Sequence, residues 1–324
     1  RTSYGCNGRG FLTSLSNAVP SVGTLLSSFT DMTYDGVGNR TSETTAIPYV
    51  GQAPSMGRNV CYGYGDGSNN TTYSGDQMNL TGESSRGTGN NYTSYSYSLI
   101  YDSRGNPRQQ SATSGVSNSV GANSDANADD QLTSTLFGYF NYDGNGNLIL
   151  DYQKPLTFDV ENRLLSGSIQ GSTGYLKAAT YDGDGLRTSK TNGSLAQLYF
   201  LNDGSTPVLE ENAGGAVVTA NGWGPDGWRM RYTPGRQYFA YTYDPQGNRV
   251  QRHSQTGIAA YDVSQFDAFG NDTAHYFVTS STSSRYLDPS GFGGQYGYYT
   301  DVETGLVLLT HRYYDPTFGR AKCW

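Results

Sequence analysis

Leu136 to Tyr152 read Leu-Phe-Gly-Tyr-Phe-Asn-Tyr-Asp-Gly-Asn-Gly-Asn-Leu-Ile-Leu-Asp-Tyr. Leu136, Gly138, Phe140 and Tyr142 alternate with other residues before the centre, and Leu148, Leu150 and Tyr152 alternate after it, which is the period of a strand. Between the two runs lies Tyr142-Asp143-Gly144-Asn145-Gly146-Asn147. Asp accepts a backbone hydrogen bond from two residues on, the next two positions suit a type I turn, and Gly takes the left-handed conformation that closes a three-residue hairpin with a bulge. The stretch therefore reads as strand, turn, strand.

The signature recurs at Tyr34-Asp35-Gly36-Val37-Gly38-Asn39-Arg40, Tyr101-Asp102-Ser103-Arg104-Gly105-Asn106 and Tyr243-Asp244-Pro245-Gln246-Gly247-Asn248-Arg249. Looser copies stand at Phe158-Asp159, Tyr181-Asp182-Gly183-Asp184-Gly185 and Phe266-Asp267-Ala268-Phe269-Gly270-Asn271, and a worn one at Tyr4 with Asn7-Gly8-Arg9. Successive copies are 30, 67, 41, 16, 23, 62 and 23 residues apart. Most of these spacings are near multiples of about 20 residues, the length of one hairpin. Tyr95, Tyr97, Leu99 and Tyr101, and again Phe239, Tyr241 and Tyr243, carry the same alternation into their turns. The expected fold is all-β, with tandem antiparallel hairpins forming a continuous spiral or shell-like sheet and few or no helices.

Composition agrees. The 324 residues include 43 Gly and 28 Tyr, with 22 Asp against 6 Glu and 17 Arg against 4 Lys. Glu and Lys are the residues that build solvated helix faces, so their scarcity argues against helices. Aromatic content of 13% excludes a disordered chain. Net charge is −7, so the molecule's field repels nucleic-acid backbones and anionic lipid heads, and no apolar run is long enough for a spanning helix. Nucleic acid and membrane insertion are accordingly excluded as partners. Arg1 to Phe11 carries no hydrophobic signal segment and already belongs to the patterned sequence, as in a mature or internal fragment. Cys6, Cys61 and Cys323 have neither disulfide-framework nor zinc spacing.

The recurrent Tyr-Asp-x-x-Gly-Asn-Arg resembles the YD repeat of RHS proteins, teneurins and the cocoon subunits of bacterial ABC toxins. The tail is similar to the RHS repeat-associated core domain. It carries Phe266, Asp267, Gly270 and Asn271, then Gly294 and Gln295, then Thr304, Gly305 and Leu306, and finally Arg312-Tyr313-Tyr314-Asp315-Pro316 with Gly319 and Arg320. Residues 1–265 are thus expected to be degenerate hairpin repeats, and 266–324 a core-like segment. Residues 65–91 and 110–131, rich in Gly, Ser, Asn and Thr, are expected to be long loops or insertions. The resemblance implies a β-sheet shell around cargo, commonly a C-terminal toxin, and in several members self-cleavage just beyond the core. The cleaving apparatus in that family includes an Asp-Pro-x-Gly segment after the core Arg, whereas the 324 residues run Arg320-Ala321-Lys322-Cys323-Trp324.

Candidate chemistry is sparse. Asp288 and Asp315, each followed by Pro, are the pair to inspect for aspartyl-type catalysis, because close carboxylates can share a proton. An Asp-Pro turn opening is the plainer reading. Asp143-x-Asn145-x-Asn147 imitates half of a calcium loop but lacks the later bidentate acid, so no metal or cofactor is expected. His253, His275 and His311 have no metal spacing and no nucleophile motif beside them. Tyr62-Gly63-Tyr64-Gly65-Asp66-Gly67 lacks the Lys of a phosphate loop.

The structural residues are expected to be the motif's own: Tyr34, Asp35, Gly38 and Asn39; Tyr101, Asp102, Gly105 and Asn106; Tyr142, Asp143, Gly146 and Asn147; Tyr181, Asp182 and Gly185; Tyr243, Asp244, Gly247 and Asn248. The expected function is a non-catalytic shell or scaffold, secreted or at a cell surface, whose partners are an enclosed polypeptide or copies of itself. Two alternatives stand beside it. One is a self-assembling filament or adhesion module binding glycans or a cell-surface receptor, and the other an autoproteolytic toxin shell.

Overall fold

The computed structural model describes residues 1–48, 55–65, 79–87, 94–112, 124–136, 138–169, 174–192, 197–235, 238–254, 260–277 and 288–322. Within them lie twenty-eight strands and a single 3-10 turn at Gly294–Tyr296. The strands form an eight-stranded sheet from Thr2–Cys6 to Pro107–Ala112, a sixteen-stranded sheet from Asp125–Ala126 to Asp272–Phe277, and a four-stranded sheet from Tyr299–Asp301 to Arg320–Ala321. In each sheet the spatial order is the chain order, and the described neighbours pair antiparallel. The all-β hairpin architecture expected from the alternation is therefore what the chain adopts.

One turn builds it. At Asp143 the backbone N–H donates to the Asn147 carbonyl at 3.0 Å, and the Gly146 N–H donates to the Asp143 carbonyl at 3.1 Å. The Asp143 carboxylate takes N–H bonds from Asn145 and Asn147, both 2.9 Å, and its other oxygen takes the Asn147 side-chain amide at 2.9 Å. The same set recurs at Asp102, Asp244 and Asp267. The ladder slips by one residue beside the turn, as at Tyr142↔Leu148 and Tyr101↔Pro107, which is the bulge. Gly105 closes its turn at φ 86°, a conformation where Cβ strain favours Gly. Asn162 and Asp130 take that place in two other turns at φ 63° and 58°.

The tyrosine ahead of the turn has its own role. The Tyr34 hydroxyl donates to the Leu12 carbonyl, Tyr101 to Leu80 and Tyr181 to Leu164, each at 2.6 Å. Every acceptor is the first residue, or the start, of a strand from an earlier hairpin. Phe at that place would fill the space but leave the carbonyl without this donor.

Two polar stretches behave differently from their composition. Leu80–Gly87, inside 65–91, is a strand paired with Met56–Tyr64. Its alternation is carried by Glu83 and Ser85 on the buried side and Ser84 and Arg86 on the exposed side, so a hydrophobic count does not register it. Inside 110–131, Asp125–Ala126 pairs with Leu132–Thr135 around a turn opened by Asn127. Residues 66–78, 88–93 and 113–123 lie outside the described residues.

The chain makes two compact units, 1–124 with 242–280, and 125–241 with 281–324. Residues 266–324 thus contribute to both. The first unit centres on Leu15, Phe29, Met32, Ile47, Met56, Val250 and Val263, with Tyr95, Tyr97 and Leu99 as a second cluster. Its other sheet face carries small polar groups in register: Thr33, Ser42, Cys61, Ser84 and Ser96 stand opposite one another on five strands. The second unit has a larger apolar core, including Phe140, Leu148, Leu164, Leu176, Phe200, Tyr299, Leu306 and Tyr313. Its outward face sets Leu201, Leu209, Ala220, Tyr232 and Tyr238 in one cross-strand line. Each fully buried Leu or Phe contributes about 1.5–3 kcal/mol relative to exposure, so these clusters dominate the stability of both units.

Candidate functional site

The densest chemistry in the second unit gathers around Asp301, at the start of the Asp-Val-Glu-Thr-Gly-Leu stretch. Its carbonyl receives the N–H groups of Thr304 at 3.0 Å and Gly305 at 2.7 Å, which turns the chain back into the strand Leu306–Leu309. The carboxylate is fully buried and meets Arg187 Nη1 at 2.5 Å, Lys190 Nζ at 2.7 Å and the Tyr313 hydroxyl at 3.1 Å. Burial pushes the Asp301 carboxyl up, but Arg187 and Lys190 outweigh it and hold it at about 2. Lys190 also reaches Glu303 at 3.0 Å. Burial raises the Glu303 carboxyl, and the neighbouring Asp301 charge adds to the effect.

The Arg187 guanidinium lies over the rings of Phe200 and Tyr299, 4.7 and 4.9 Å from their centroids. One step along, Arg231 grips Glu210 through both carboxylate oxygens at 2.8 Å and donates to Asn221 at 3.0 Å. Such buried pairs favour a unique arrangement, since a misplaced partner leaves a bare charge in low dielectric.

Asp288 and Asp315 are held by different groups. Asp288 accepts the Tyr241 hydroxyl on both oxygens, at 2.9 and 3.0 Å, and the Ser290 N–H at 3.0 Å. Asp315 accepts the Thr317 N–H at 2.8 Å and pairs with Lys322 at 2.8 Å, while Lys322 also reaches Asp151 at 3.0 Å. Burial lowers the Lys322 ammonium, and Asp315 and Asp151 reverse that and raise it. The ion pair ties Asp315 to Lys322, so this carboxylate anchors the end of the four-stranded sheet. Lys322 also ties backbone, donating its N–H to Tyr313 and accepting from Leu148.

Further core-motif residues within this unit, Gln295 and Arg320, tie its elements together. Gln295 donates to the Asp226 carbonyl at 2.8 Å, at a hairpin where a Cβ on Gly227 would sit 2.0 Å from the Gln295 carbonyl oxygen. Arg320 donates to the Asp130 carbonyl at 2.8 Å, binding the last strand to an earlier turn. Phe318 stacks edge-on against Phe140.

The first unit buries charge differently. Glu83 accepts the Tyr95 hydroxyl at 2.6 Å, Tyr97 at 2.8 Å and the Ala268 N–H at 2.8 Å, and Arg58 donates to the Phe266 carbonyl at 2.9 Å. Burial and the Asp267 charge raise the Glu83 carboxyl despite Arg58. Burial, with Glu43 nearby, pushes the turn carboxyl of Asp244 up to about 6. Asp35 and Asp143 make the same turn at the surface. There burial still pushes the carboxyl up, but the Asn side-chain and backbone donors together outweigh it and hold both carboxyls below the usual range.

Of the histidines, burial lowers His253 to about 4. His311 faces the Gly185 carbonyl at 3.3 Å. Register brings Ser264 opposite His275, a contact that the sequence did not disclose. Ser264 Oγ lies 2.9 Å from His275 Nδ1, and Asp272 lies 2.7 Å from that same nitrogen. A Ser-His-Asp relay needs the two partners on opposite ring nitrogens, so this group is a polar clasp. Cys6 and Cys61 are exposed free thiols, and Cys323 lies outside the described residues. Among the described residues no three His, Cys, Asp or Glu side chains converge as metal ligands, and the Asp143 oxygens are occupied by turn donors.

No family model matches the chain. It is similar to the tRNA3(Ser)-specific nuclease WapA of Bacillus spizizenii, 31% identical over 223 residues that make up 68% of this chain and 9% of that protein. The tRNA nuclease WapA of Bacillus subtilis is 29% identical over 222 residues, again 68% of this chain and 9% of that one. Among solved structures, the Photorhabdus luminescens Tc holotoxin pore superposes with a TM-score of 0.71 at 16% identity, over 99% of this chain and 16% of the other. The chain has the RHS/YD-repeat fold. The TcdB2-TccC3 crystal structure matches this RHS/YD-repeat chain with a TM-score of 0.69, over 99% of it and 17% of its counterpart. No helix among the described residues is long and apolar enough to cross a membrane.

Proposed function

We propose that this RHS/YD-repeat chain is a wall segment: a scaffold that encloses or presents a polypeptide, carries no turnover of its own, and works outside the cell or on its surface. The observation that carries the reading is where the buried ionic groups lead. Arg187 and Asp301, 114 residues apart, and Lys322 and Asp151, 171 apart, pair directly, so the charged side chains fasten distant hairpins together. The candidate aspartates follow the same logic, Asp315 under Lys322 and Asp288 under Tyr241.

The relatives named as tRNA nucleases match over 9% of their length, and a net charge of −7 gives this stretch no electrostatic attraction for RNA. The purified chain incubated with tRNA is therefore expected to leave it intact. It should also remain uncleaved over days and resist limited proteolysis outside a few loops. Cleavage of tRNA that is abolished by heating the protein would overturn the scaffold reading. Time-dependent self-cleavage that stops in Asp288→Asn or Asp315→Asn would favour the autoproteolytic alternative instead.

A further inference from the structure

Four Asn-Gly steps occur in the chain: Asn7-Gly8, Asn145-Gly146, Asn192-Gly193 and Asn221-Gly222. In such a step the backbone nitrogen of the glycine can attack the asparagine side-chain carbon. The attack needs a nitrogen not engaged elsewhere, a polarised carbonyl and an amide able to leave.

The Asn7 turn supplies all three. Asn7 and Gly8 are exposed, and beyond their chain neighbours no atom would lie within 4 Å of a Cβ on Gly8, so the space beside the step is open. The turn's backbone bonds run from Asn7 N–H to the Phe11 carbonyl and from Gly10 N–H to the Asn7 carbonyl, both 2.9 Å, and neither uses the Gly8 N–H. Asn7 Oδ1 accepts the Arg9 N–H at 2.9 Å and the Phe11 N–H at 3.1 Å. Two fixed donors on the oxygen that becomes an oxyanion lower the barrier to attack at its carbon. Asn7 is exposed, so water reaches the side chain whose nitrogen must depart.

The comparable steps are restrained. The Gly146 N–H donates to the Asp143 carbonyl at 3.1 Å, which holds the nucleophile of the Asn145 step. Asn221 is buried, its amide nitrogen donating to Pro207 at 2.9 Å and its oxygen accepting Arg231 at 3.0 Å, and Gly222 is paired within the ladder. Asn192 is buried, and Gly193 lies outside the described residues.

We propose that Asn7 is a site of spontaneous modification, losing its side-chain amide through a cyclic imide with Gly8 ahead of Asn145 and Asn221. Hydroxide removes the Gly8 N–H proton and the N–Cγ bond forms; the water so produced gives a proton to Nδ2, the Cγ–Nδ2 bond breaks and ammonia leaves, with hydroxide regenerated. Water then opens the ring at either carbonyl. Opening at one side gives aspartate, the residue that begins the same turn at Asp35, Asp102 and Asp143. Opening at the other inserts an extra backbone carbon and removes the turn's register.

The test is peptide mapping by mass spectrometry of the folded chain held at mildly alkaline pH. The peptide containing Asn7 should gain the mass of an amide-to-acid change roughly tenfold faster than those containing Asn145 or Asn221, a difference of about 1.4 kcal/mol in barrier. Gly8→Ala should slow it by a similar factor without changing the far-ultraviolet spectrum, since the space beside Gly8 is open. Equal or faster conversion at Asn145 would overturn the proposal. So would conversion at Asn7 that Gly8→Ala leaves unchanged.

Discussion

In the second compact unit Asp301, Glu210, Asp151 and Asp315 each meet a buried cation, from Arg187 and Lys190, Arg231, and Lys322. In the first, Asp262 is paired with Arg249 and Arg252, whereas Glu83 rests on two phenol hydroxyls and a backbone N–H, and Asp244 on Asn248. The outer faces differ too, hydroxyl-rich around Ser42 and Ser84, apolar around Leu201 and Tyr238. The turns and tyrosine contacts are common to both units. The repeat therefore sets the backbone, and the interior chemistry is free to diverge once the backbone is secured.

The largest effect should come from Lys322→Met. Removing the shared cation leaves Asp151 and Asp315 buried without it, at an expected cost of about 3–5 kcal/mol in urea unfolding at neutral pH. A loss below about 1 kcal/mol would mean that the ion pairs of the second unit are not what distinguishes it.

Next comes a pair with opposite pH signs. The Asp244 carboxyl is raised in the folded state, so its contribution is fully present below the ordinary value of 3.8 and is lost as pH rises through about 6. Asp244→Asn should thus gain about 2–3 kcal/mol over the parent at pH 7.5, a gain that vanishes by about pH 4. Asp301 is lowered to about 2, so its contribution is present above 3.8 and is lost as pH falls through 2. Asp301→Asn should lose about 2 kcal/mol or more at pH 7 and progressively less in acid. Parallel pH slopes for the two variants would break the contrast.

Smaller changes address what the units share. Tyr101→Phe in the first and Tyr181→Phe in the second each remove the donor to an earlier strand and should each cost about 1 kcal/mol or more, the second also losing its contact with the Tyr313 hydroxyl. Chemical denaturation that finds one costly and the other neutral would show that the contact is not a common device. Gly105→Ala should cost about 1 kcal/mol from its positive φ alone, because the nearest atom to the new methyl is an amide nitrogen at an ordinary 3.6 Å. Gly105→Asn should cost less, as Asn162 already occupies that conformation.

The turns were legible because their chemistry is local: Asp, Gly and Asn within five residues specify them. Asn127 and Asn212 open the same turn without the Asp signature. Each supplies an amide oxygen that accepts the N–H groups two and four residues on, and an acceptor is all that the turn requires. Leu80–Gly87 was hidden because its strand period is written in Glu and Ser. The Arg187 and Lys190 partners of Asp301 and the Asp151 partner of Lys322 were beyond reach for a different reason. They lie more than a hundred residues away in the chain, and no local spacing encodes which Arg or Lys will arrive. The same holds for the Ser264–His275 contact, which is a consequence of ladder register.

Each tyrosine contact also has a direction in time. Leu12, Leu80 and Leu164 are made before Tyr34, Tyr101 and Tyr181, so during synthesis the acceptor always waits for a donor that has yet to leave the ribosome. A chain joined in this way can add hairpins one after another, each checked against those already in place. A slip in one hairpin would be caught there, without redrawing the register of the sheet that precedes it.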